Sequence, residues 1–184
     1  GASTGGLGAY GPAPDGNSSV DDTILNRIVI TLHEHLSNKT TPYRGVLFIG
    51  LMIDQHDDPY VVEFNVRFGD PECQVTLPLI ASDVFQMLFG AATDTLDPSA
   101  VDFDSSSALT VVLASEGYPA RPIKGRIVHG LQEALNDQSY RQIWVNVAGV
   151  SKDDSGALVS SGGRVLSCTA MAGSLKDAQV SAYQ

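Results

Sequence analysis

Hydrophobic and polar positions alternate along residues 60–68. Because successive side chains of a strand point to opposite faces, this pattern predicts a half-buried β-strand. Its apolar face would consist of Tyr60, Val62, Phe64, Val66 and Phe68. Its polar face would carry Glu63, Asn65 and Arg67. The alternation alone favours an ordinary amphipathic strand with a solvated polar face. Evidence that this face has a function must therefore come from the neighbouring residues.

The segments around this strand predict a layer of helices on a small antiparallel sheet. The apolar run 46–53 predicts a strand buried on both faces. The connection 54–59 is too short for a parallel crossover, so the two strands should form an antiparallel hairpin. Helices are predicted at 22–36, with Asp21 or Asp22 as cap, and at 83–93, with Ser82 or Asp83 as cap. We expect both helices to cover the apolar face of the 60–68 strand.

The rest of the chain indicates a second, β-rich region. The Asp- and Ser-rich stretch 97–107 is the best domain boundary, and it predicts domains at 1–104 and 105–184. Four β segments follow at 108–115, 126–131, 142–150 and 164–172. Ser174 should cap a last helix that the sequence leaves unfinished. Residues 1–17 are rich in Gly and Pro, which predicts neither helix nor strand.

Composition narrows the classes of protein and partner. The 184 residues are 43% hydrophobic, carry a net charge of −10 and contain two cysteines. The negative charge argues against nucleic-acid binding, and no apolar stretch is long enough for a membrane span. The cysteines have neither metal-site nor disulfide spacing, so reduced thiols in the cytoplasm are expected. The predicted helices and strands indicate an α+β fold, and the composition argues against nucleic-acid and membrane partners.

The polar face of the 60–68 strand has the chemistry of a metal and phosphate site. Oxygens of Glu63 and Asn65 suit a hard cation such as Mg²⁺, and Arg67 suits phosphate or carboxylate. Asp70 and Glu72 add two carboxylates at the following turn, a charge density that calls for a cation. The glycine-rich start of the chain has two interpretations. It could be a flexible linker or a loop whose N–H groups approach an anion.

Four segments, in order along the chain, resemble the glycinamide ribonucleotide synthetase (phosphoribosylamine–glycine ligase) family of ATP-grasp enzymes. They are Ser3-Thr4-Gly5-Gly6-Leu7-Gly8-Ala9-Tyr10, Gly45-Val46-Leu47-Phe48, Glu63-Phe64-Asn65-Val66-Arg67-Phe68-Gly69-Asp70-Pro71-Glu72 and Gly162-Gly163-Arg164-Val165-Leu166. Other ATP-grasp enzymes share Glu-x-Asn-x-Arg but not the Phe-Gly-Asp-Pro-Glu that follows. The resemblance implies the C-terminal half of such an enzyme: an ATP-grasp lobe with an antiparallel sheet, then a small β-rich domain.

The resemblance also implies an activity and roles for individual residues. The family joins glycine to 5-phosphoribosylamine with cleavage of ATP, through an acyl phosphate. Glu63 and Asn65 would bind Mg²⁺ or Mn²⁺ that bridges the ATP phosphates. Arg67 would hold the transferred phosphoryl group or the glycine carboxylate, and Asp70 would contact the amine substrate. The substrate-binding residues would be Ser3, Thr4, Gly5, Gly6, Gly8, Asp70 and Arg164.

Several positions depart from the family pattern. They are Ser3, Leu7, Cys73, Arg126, Val147, Val150 and Ser161, of which Arg126 inverts a charge. These departures bear on substrate contacts more than on the metal site. We expect the lobe that covers adenine to lie upstream of Gly1, so this piece alone should lack turnover. A partial module that binds without catalysis, or another ATP-grasp ligase, is the alternative.

Overall fold

A computed structural model describes residues 4–13, 18–136 and 142–184. Its architecture is α+β, as predicted, with antiparallel pairing in every described sheet. The strands are β1 (Gly8–Gly11), β2 (Phe48–Ile53), β3 (Pro59–Asn65), β4 (Ser107–Ala114), β5 (Ile143–Val147), β6 (Val150–Lys152), β7 (Leu158–Ser160) and β8 (Arg164–Ala172). The helices are α1 (Ser18–Ile24), α2 (Ile30–Ser37), α3 (Cys73–Thr76), α4 (Val84–Thr93), α5 (Leu131–Asn136) and α6 (Leu175–Ala182). A π-helical turn, Leu25–Val29, joins α1 to α2, and a 3₁₀ turn spans Pro98–Ala100.

The chain divides into two compact units that are discontinuous in sequence. The first contains the described residues up to Gly11, together with Asp70–Leu79 and Phe103–Gln184. The second contains the described parts of Pro12–Gly69 and Ile80–Asp102. These units cut across the predicted boundary after residue 104, because β1 and α3 pack with the C-terminal strands. The division into domains 1–104 and 105–184 stays a prediction.

The first unit is built on a four-stranded sheet in the order β1-β4-β8-β5. Its small core contains Val75 and Leu79 of the Asp70–Leu79 segment, which pack on Ala108 of β4. Helix α6 packs against β4 and β8 and buries Ala178 and Ala182. The predicted cap of this helix is confirmed, since Ser174 accepts a hydrogen bond from the Asp177 N–H at 3.2 Å.

Strand β1 corrects the prediction that residues 1–17 form neither helix nor strand. Residues 8–11 pair with β4, with Gly8 opposite Val111 and Gly11 opposite Ala108. A Cβ atom at Gly8 would lie only 2.9 Å from the Thr110 carbonyl oxygen, so glycine allows this close approach. The partner strand lies about a hundred residues away, and local composition carries no information about it.

Two of the four predicted β segments after the boundary are confirmed as single strands, and two are not. Residues 107–114 and 164–172 form β4 and β8. The predicted strand at 126–131 is wrong: it reduces to one isolated bridge between Ile127 and Val159, and α5 begins at Leu131. The segment 142–150 contributes β5 and the start of β6.

The second unit contains the predicted antiparallel hairpin of β2 and β3. Gly50 pairs with Glu63 whereas Leu51 pairs with Val61, so Val62 is the extra residue of a β-bulge. Strand β3 ends at Asn65, three residues earlier than predicted. The prediction that 46–53 is buried on both faces is also wrong, since Met52 is 63% exposed in this two-stranded sheet.

The two predicted helices of the second unit form, but a π-helical turn at Leu25–Val29 interrupts the first and their packing differs from the prediction. Helix α4 begins after Asp83, which caps it as expected by accepting a bond from the Gln86 N–H. The first helix begins at Ser18, so Asp21 and Asp22 lie inside it and are not its cap.

The predicted apolar face of β3 is not covered by the helices. Its members Tyr60, Val62, Phe64 and Val66 are 51–74% exposed. The apolar side chains of α2 instead line a cavity of about 490 Å³ with those of β2, Leu32 and Ile49 among them. The bulge at Val62 breaks the two-residue period on which the prediction depended.

Candidate active site

The three polar residues at the end of β3 form a hydrogen-bonded row, as their spacing predicts. The Asn65 amide Nδ2 donates to Glu63 Oε1 at 3.0 Å. Arg67 Nη2 donates to Asn65 Oδ1 at 3.2 Å, and Arg67 Nη1 donates to the Phe68 carbonyl at 2.7 Å. Arg67 therefore reaches the row from the bend after the strand rather than from the strand itself.

The neighbouring strand leaves room for this row. Gly50 lies directly opposite Glu63, and a Cβ atom at Gly50 would be 3.0 Å from Glu63 Cγ. Glycine at this position lets the Glu63 side chain lie over β2 without a clash. The row is solvent-accessible, with Glu63 and Arg67 exposed and Asn65 half-buried.

The donor set of the row fits a metal that is bound jointly with a ligand. Glu63 supplies a carboxylate and Asn65 an amide oxygen, both of the kind that Mg²⁺ prefers. Within the described ranges, no group of three or more His, Cys, Asp or Glu side chains could hold a metal by itself. Mg²⁺ in nucleotide sites typically takes one or two protein oxygens and completes its shell with phosphates and water, which matches this pair.

A second cluster, in the first unit, is centred on the ion pair between Arg164 and Asp70. Arg164 Nη2 donates to Asp70 Oδ2 at 2.8 Å, and Nη1 donates to Oδ1 at 3.2 Å. Nη1 also contacts the Asp70 carbonyl at 2.9 Å and the Gly6 carbonyl at 3.3 Å. The Arg164 side chain is only 26% exposed. One guanidinium thus joins the start of β8, the Asp70 turn and the glycine-rich loop.

The surroundings of Arg164 hold its backbone and the glycine loop in place. Ser115 donates from its N–H to the Gly163 carbonyl at 2.8 Å and from its hydroxyl to the Gly162 carbonyl at 2.7 Å. The Tyr118 hydroxyl accepts a bond from the Gly5 N–H at 3.2 Å. The residue before Arg164 and the start of the loop are therefore both fixed by hydrogen bonds.

The predicted substrate-binding residues are distributed unevenly over this cluster. Gly5 and Gly6 lie in it, and Thr4 precedes them as an exposed residue. Gly8 belongs to β1, where its close approach is to Thr110 rather than to Arg164. Ser3 lies outside the described residues. The catalytic, substrate-binding and metal-binding roles of all these residues stay predictions.

Sequence reasoning missed two members of the cluster. Gln74 Nε2 donates to Asp70 Oδ1 at 3.2 Å, and its spacing of four residues from Asp70 was an available signal. Tyr118 had no such signal, because only the fold brings it to Gly5. Arg126, where a charge was inverted, forms an exposed ion pair with Glu116.

Both cysteines are thiols, and Cys73 Sγ donates to Gln74 Oε1 at 2.9 Å. Cys73 and Cys168 are not joined by a disulfide. Burial raises the pKa of the Cys168 thiol, which keeps it protonated at neutral pH.

Comparison with known families decides the relationship of this chain. The model of the phosphoribosylglycinamide synthetase ATP-grasp (A) domain matches residues 1–73, and that of the C domain of the same synthetase matches residues 108–184. The chain belongs to the phosphoribosylglycinamide synthetase family. The A-domain match contains the Glu63–Asn65–Arg67 row, and the C-domain match contains Arg164.

Named relatives agree with this assignment. The chain is 39% identical over 184 residues to the chloroplastic phosphoribosylamine–glycine ligase of Arabidopsis thaliana, covering all of this chain and 34% of the relative. It is 38% identical to the phosphoribosylamine–glycine ligase of Vigna unguiculata, covering 58% of that relative. It is 39% identical to the phosphoribosylamine–glycine ligase of Xylella fastidiosa, covering 41% of that relative. The chain thus spans between about a third and three-fifths of the length of these relatives.

Solved structures show the same likeness. The crystal structure of phosphoribosylamine–glycine ligase from Thermotoga maritima superposes with a TM-score of 0.73 at 30% identity, covering all of this chain and 43% of that one. A biotin carboxylase from Campylobacter jejuni superposes with a TM-score of 0.66 over 95% of this chain and 36% of its own, but at 14% identity it shows a shared fold alone. No helix among the described residues is long and apolar enough to cross a membrane.

Proposed function

We propose that the protein to which this chain belongs is a phosphoribosylamine–glycine ligase, which joins glycine to 5-phosphoribosylamine with conversion of ATP to ADP and phosphate. The observation that carries the proposal is the hydrogen-bonded row Glu63–Asn65–Arg67, which runs directly into Gly69-Asp70-Pro71-Glu72. Membership of the synthetase family and the names of its relatives support it. We place the reaction in purine biosynthesis and the protein in the cytoplasm, although the Arabidopsis relative is named as chloroplastic.

The residues of the row suit the first half of this reaction. A glycine carboxylate oxygen attacks the terminal phosphorus of ATP, ADP leaves, and glycyl phosphate forms. Glu63 and Asn65 would hold Mg²⁺ or Mn²⁺ against the ATP phosphates, where the metal supplies neutralisation of phosphate charge. Arg67, fixed by Asn65 and the Phe68 carbonyl, would orient the transferred phosphoryl group or the glycine carboxylate.

The Arg164 cluster suits the second substrate. The amine nitrogen of 5-phosphoribosylamine attacks the carbonyl carbon of glycyl phosphate, phosphate leaves, and the nitrogen loses a proton. Arg164 would bind the phosphate of this substrate, with Gly5 and Gly6 alongside it. Asp70 was predicted to contact the amine, but both of its oxygens accept bonds from Arg164. We therefore propose that Asp70 acts as a positioning residue for Arg164.

The test is an assay of the intact protein with ATP, Mg²⁺, glycine and 5-phosphoribosylamine. We expect release of phosphate that depends on both glycine and the amine, in a one-to-one ratio with glycinamide ribonucleotide. Replacement of glycine by alanine is the matched substrate control. Phosphate release that does not depend on glycine, or ligation of a different acid, would contradict the proposal.

A further inference from the structure

Two cavities of the first unit meet on one face of its sheet. One, of about 370 Å³, is lined by Asp70 and Arg164 at the start of β8. The other, also about 370 Å³, is lined by Trp144. Both have Gln74 and Asn146 in their walls, so the two cavities are neighbours that share these two amides. We call the two adjoining cavities together the Trp144 groove, and the volume of each is in the range of small-molecule sites.

The floor of the Trp144 groove is polar although it is formed by the middle of a sheet. Ser167 and Thr169 are 4% and 1% exposed. Asn146 Nδ2 lies 3.5 Å from Ser167 Oγ and 3.3 Å from Thr169 Oγ1, and Thr169 donates to Thr110 Oγ1 at 2.8 Å. Polar side chains in such a position are costly unless they are paired, and here the Asn146 amide pairs with both hydroxyls. Asn146 is itself exposed, so its amide is the group of the floor that can bind a ligand hydroxyl.

One end of the groove is suited to an anion. The end-on fork of the Arg164 guanidinium, formed by Nη1 and Nη2, is occupied by the Asp70 carboxylate. Guanidinium has five N–H donors, and the bonds of Arg164 to described residues use Nη1 and Nη2, so the side-on fork formed by Nε and the second N–H of Nη2 can bind another oxyanion. The bonds to Asp70 and to the Gly6 carbonyl hold the guanidinium in one orientation, which favours recognition of a phosphate.

The other end of the groove is suited to a flat apolar group. Trp144 is 38% exposed and lines this end together with Leu77 and Pro78. An indole beside a proline ring is a typical surface for stacking a nucleobase, and such stacking tolerates any base.

We infer that the Trp144 groove binds a nucleoside 5′-monophosphate, with phosphate on Arg164, ribose hydroxyls on Gln74 and Asn146, and base on Trp144. The inference rests on the proposed function in one respect, that Arg164 receives a phosphate. Because 5-phosphoribosylamine would use the same guanidinium, a nucleotide in the groove excludes it.

The test uses Trp144 as a reporter, since it is the only tryptophan of the chain. The 184-residue chain is titrated with AMP, ribose 5-phosphate and adenosine while tryptophan emission is recorded. We expect AMP to quench the emission and to bind about tenfold more tightly than ribose 5-phosphate, a factor equal to about 1.4 kcal/mol of base stacking. Adenosine, which lacks the phosphate, should also bind more weakly than AMP.

Two variants test which end of the groove binds the phosphate and which binds the base. Binding is measured by calorimetry, because Trp144→Leu removes the fluorescent reporter. Trp144→Leu should reduce AMP affinity to that of ribose 5-phosphate, whose own affinity stays unchanged. Arg164→Met should weaken the binding of AMP and of ribose 5-phosphate by the same factor. Phe103→Leu is the matched control, because Phe103 is another exposed aromatic residue, outside the groove. Circular dichroism establishes that each variant folds. If a variant does not fold, the comparison of the three ligands on the wild-type chain still tests the inference.

The outcomes separate this inference from the proposed function. Equal affinity for AMP and ribose 5-phosphate, unchanged tryptophan emission, or no binding of either phosphate would overturn the groove assignment. None of these measurements needs ATP, glycine or turnover. AMP binding in a protein without glycine-dependent turnover would leave the inference standing and remove the proposed ligase activity.

Discussion

Replacing Arg164 by Met tests whether this guanidinium holds the first unit together. The substitution keeps an unbranched side chain of similar length but removes every donor. It leaves the Asp70 carboxylate without its cation and two carbonyls, of Gly6 and Asp70, without this partner. The glycine-rich loop should then separate from the start of β8.

The expected magnitude follows from the exposure of the pair. Exposed ion pairs contribute roughly 0–1 kcal/mol, whereas a hydrogen bond to a charged group contributes about 1.5–3 kcal/mol. Arg164 is largely shielded at 26% exposure but Asp70 is 52% exposed, so solvent screens the pair in part. We expect Arg164→Met to lower the free energy of unfolding by about 2 kcal/mol. For a chain of this size that is a fall in Tm of roughly 4–8 °C.

The assay is urea or thermal unfolding followed by tryptophan fluorescence, which reports on the first unit because Trp144 belongs to it. Arg126→Met is the matched control. It breaks the ion pair with Glu116, whose members are 61% and 65% exposed, and should cost less than about 0.5 kcal/mol. Equal losses of stability in the two variants would refute the reasoning that Arg164 is structurally distinct.

Three further predictions concern other parts of the fold. In Gly163→Ala the new Cβ would overlap the Tyr118 ring, so the variant should lose about 1–3 kcal/mol in urea unfolding, and an unchanged midpoint would contradict the packing. Thr169→Val removes a buried hydroxyl that is hydrogen-bonded on β8 and should cost about 1–2 kcal/mol, against less than about 0.5 kcal/mol for Thr93→Val on an exposed helix end. The hydrogen bond from Arg44, and then its charge, lower the pKa of Asp94. A carboxyl group whose pKa is lowered in the folded state stabilises the fold above its unfolded pKa of about 3.9, and this contribution is lost as pH falls through the lowered folded-state pKa. The stability deficit of Asp94→Asn should therefore be present at pH 7 and should shrink in acid unfolding curves as pH falls below about 3.9.

The parts of the fold that local pattern determines could be predicted from the sequence. The β2–β3 hairpin follows from two apolar runs and a short polar turn, and the Asp83 cap follows from a single residue type before an apolar stripe. The row of Glu63, Asn65 and Arg67 follows from two-residue spacing, even though the strand ends at Asn65.

The parts that depend on distant pairing could not be predicted. Strand β1 is glycine-rich and exists because β4 supplies its hydrogen bonds. The bulge at Val62 shifts the register next to Gly50, and a glycine within a strand does not tell which residue of the partner strand is the extra one. The contacts of Arg164 with Asp70 and Gly6 join residues far apart in sequence, so the family resemblance named these residues whereas only the fold shows that they touch.

The metal dependence of turnover tests the central claim most directly. In the intact protein, Glu63→Gln removes one negative charge from the proposed ligand pair and keeps the size of the side chain. We predict that the Mg²⁺ concentration for half-maximal glycine-dependent turnover rises at least about tenfold, a loss of about 1.4 kcal/mol. Glu34→Gln, an exposed glutamate on α2, should leave it unchanged. An unaltered Mg²⁺ dependence in Glu63→Gln would show that Glu63 is not a ligand and would contradict the account.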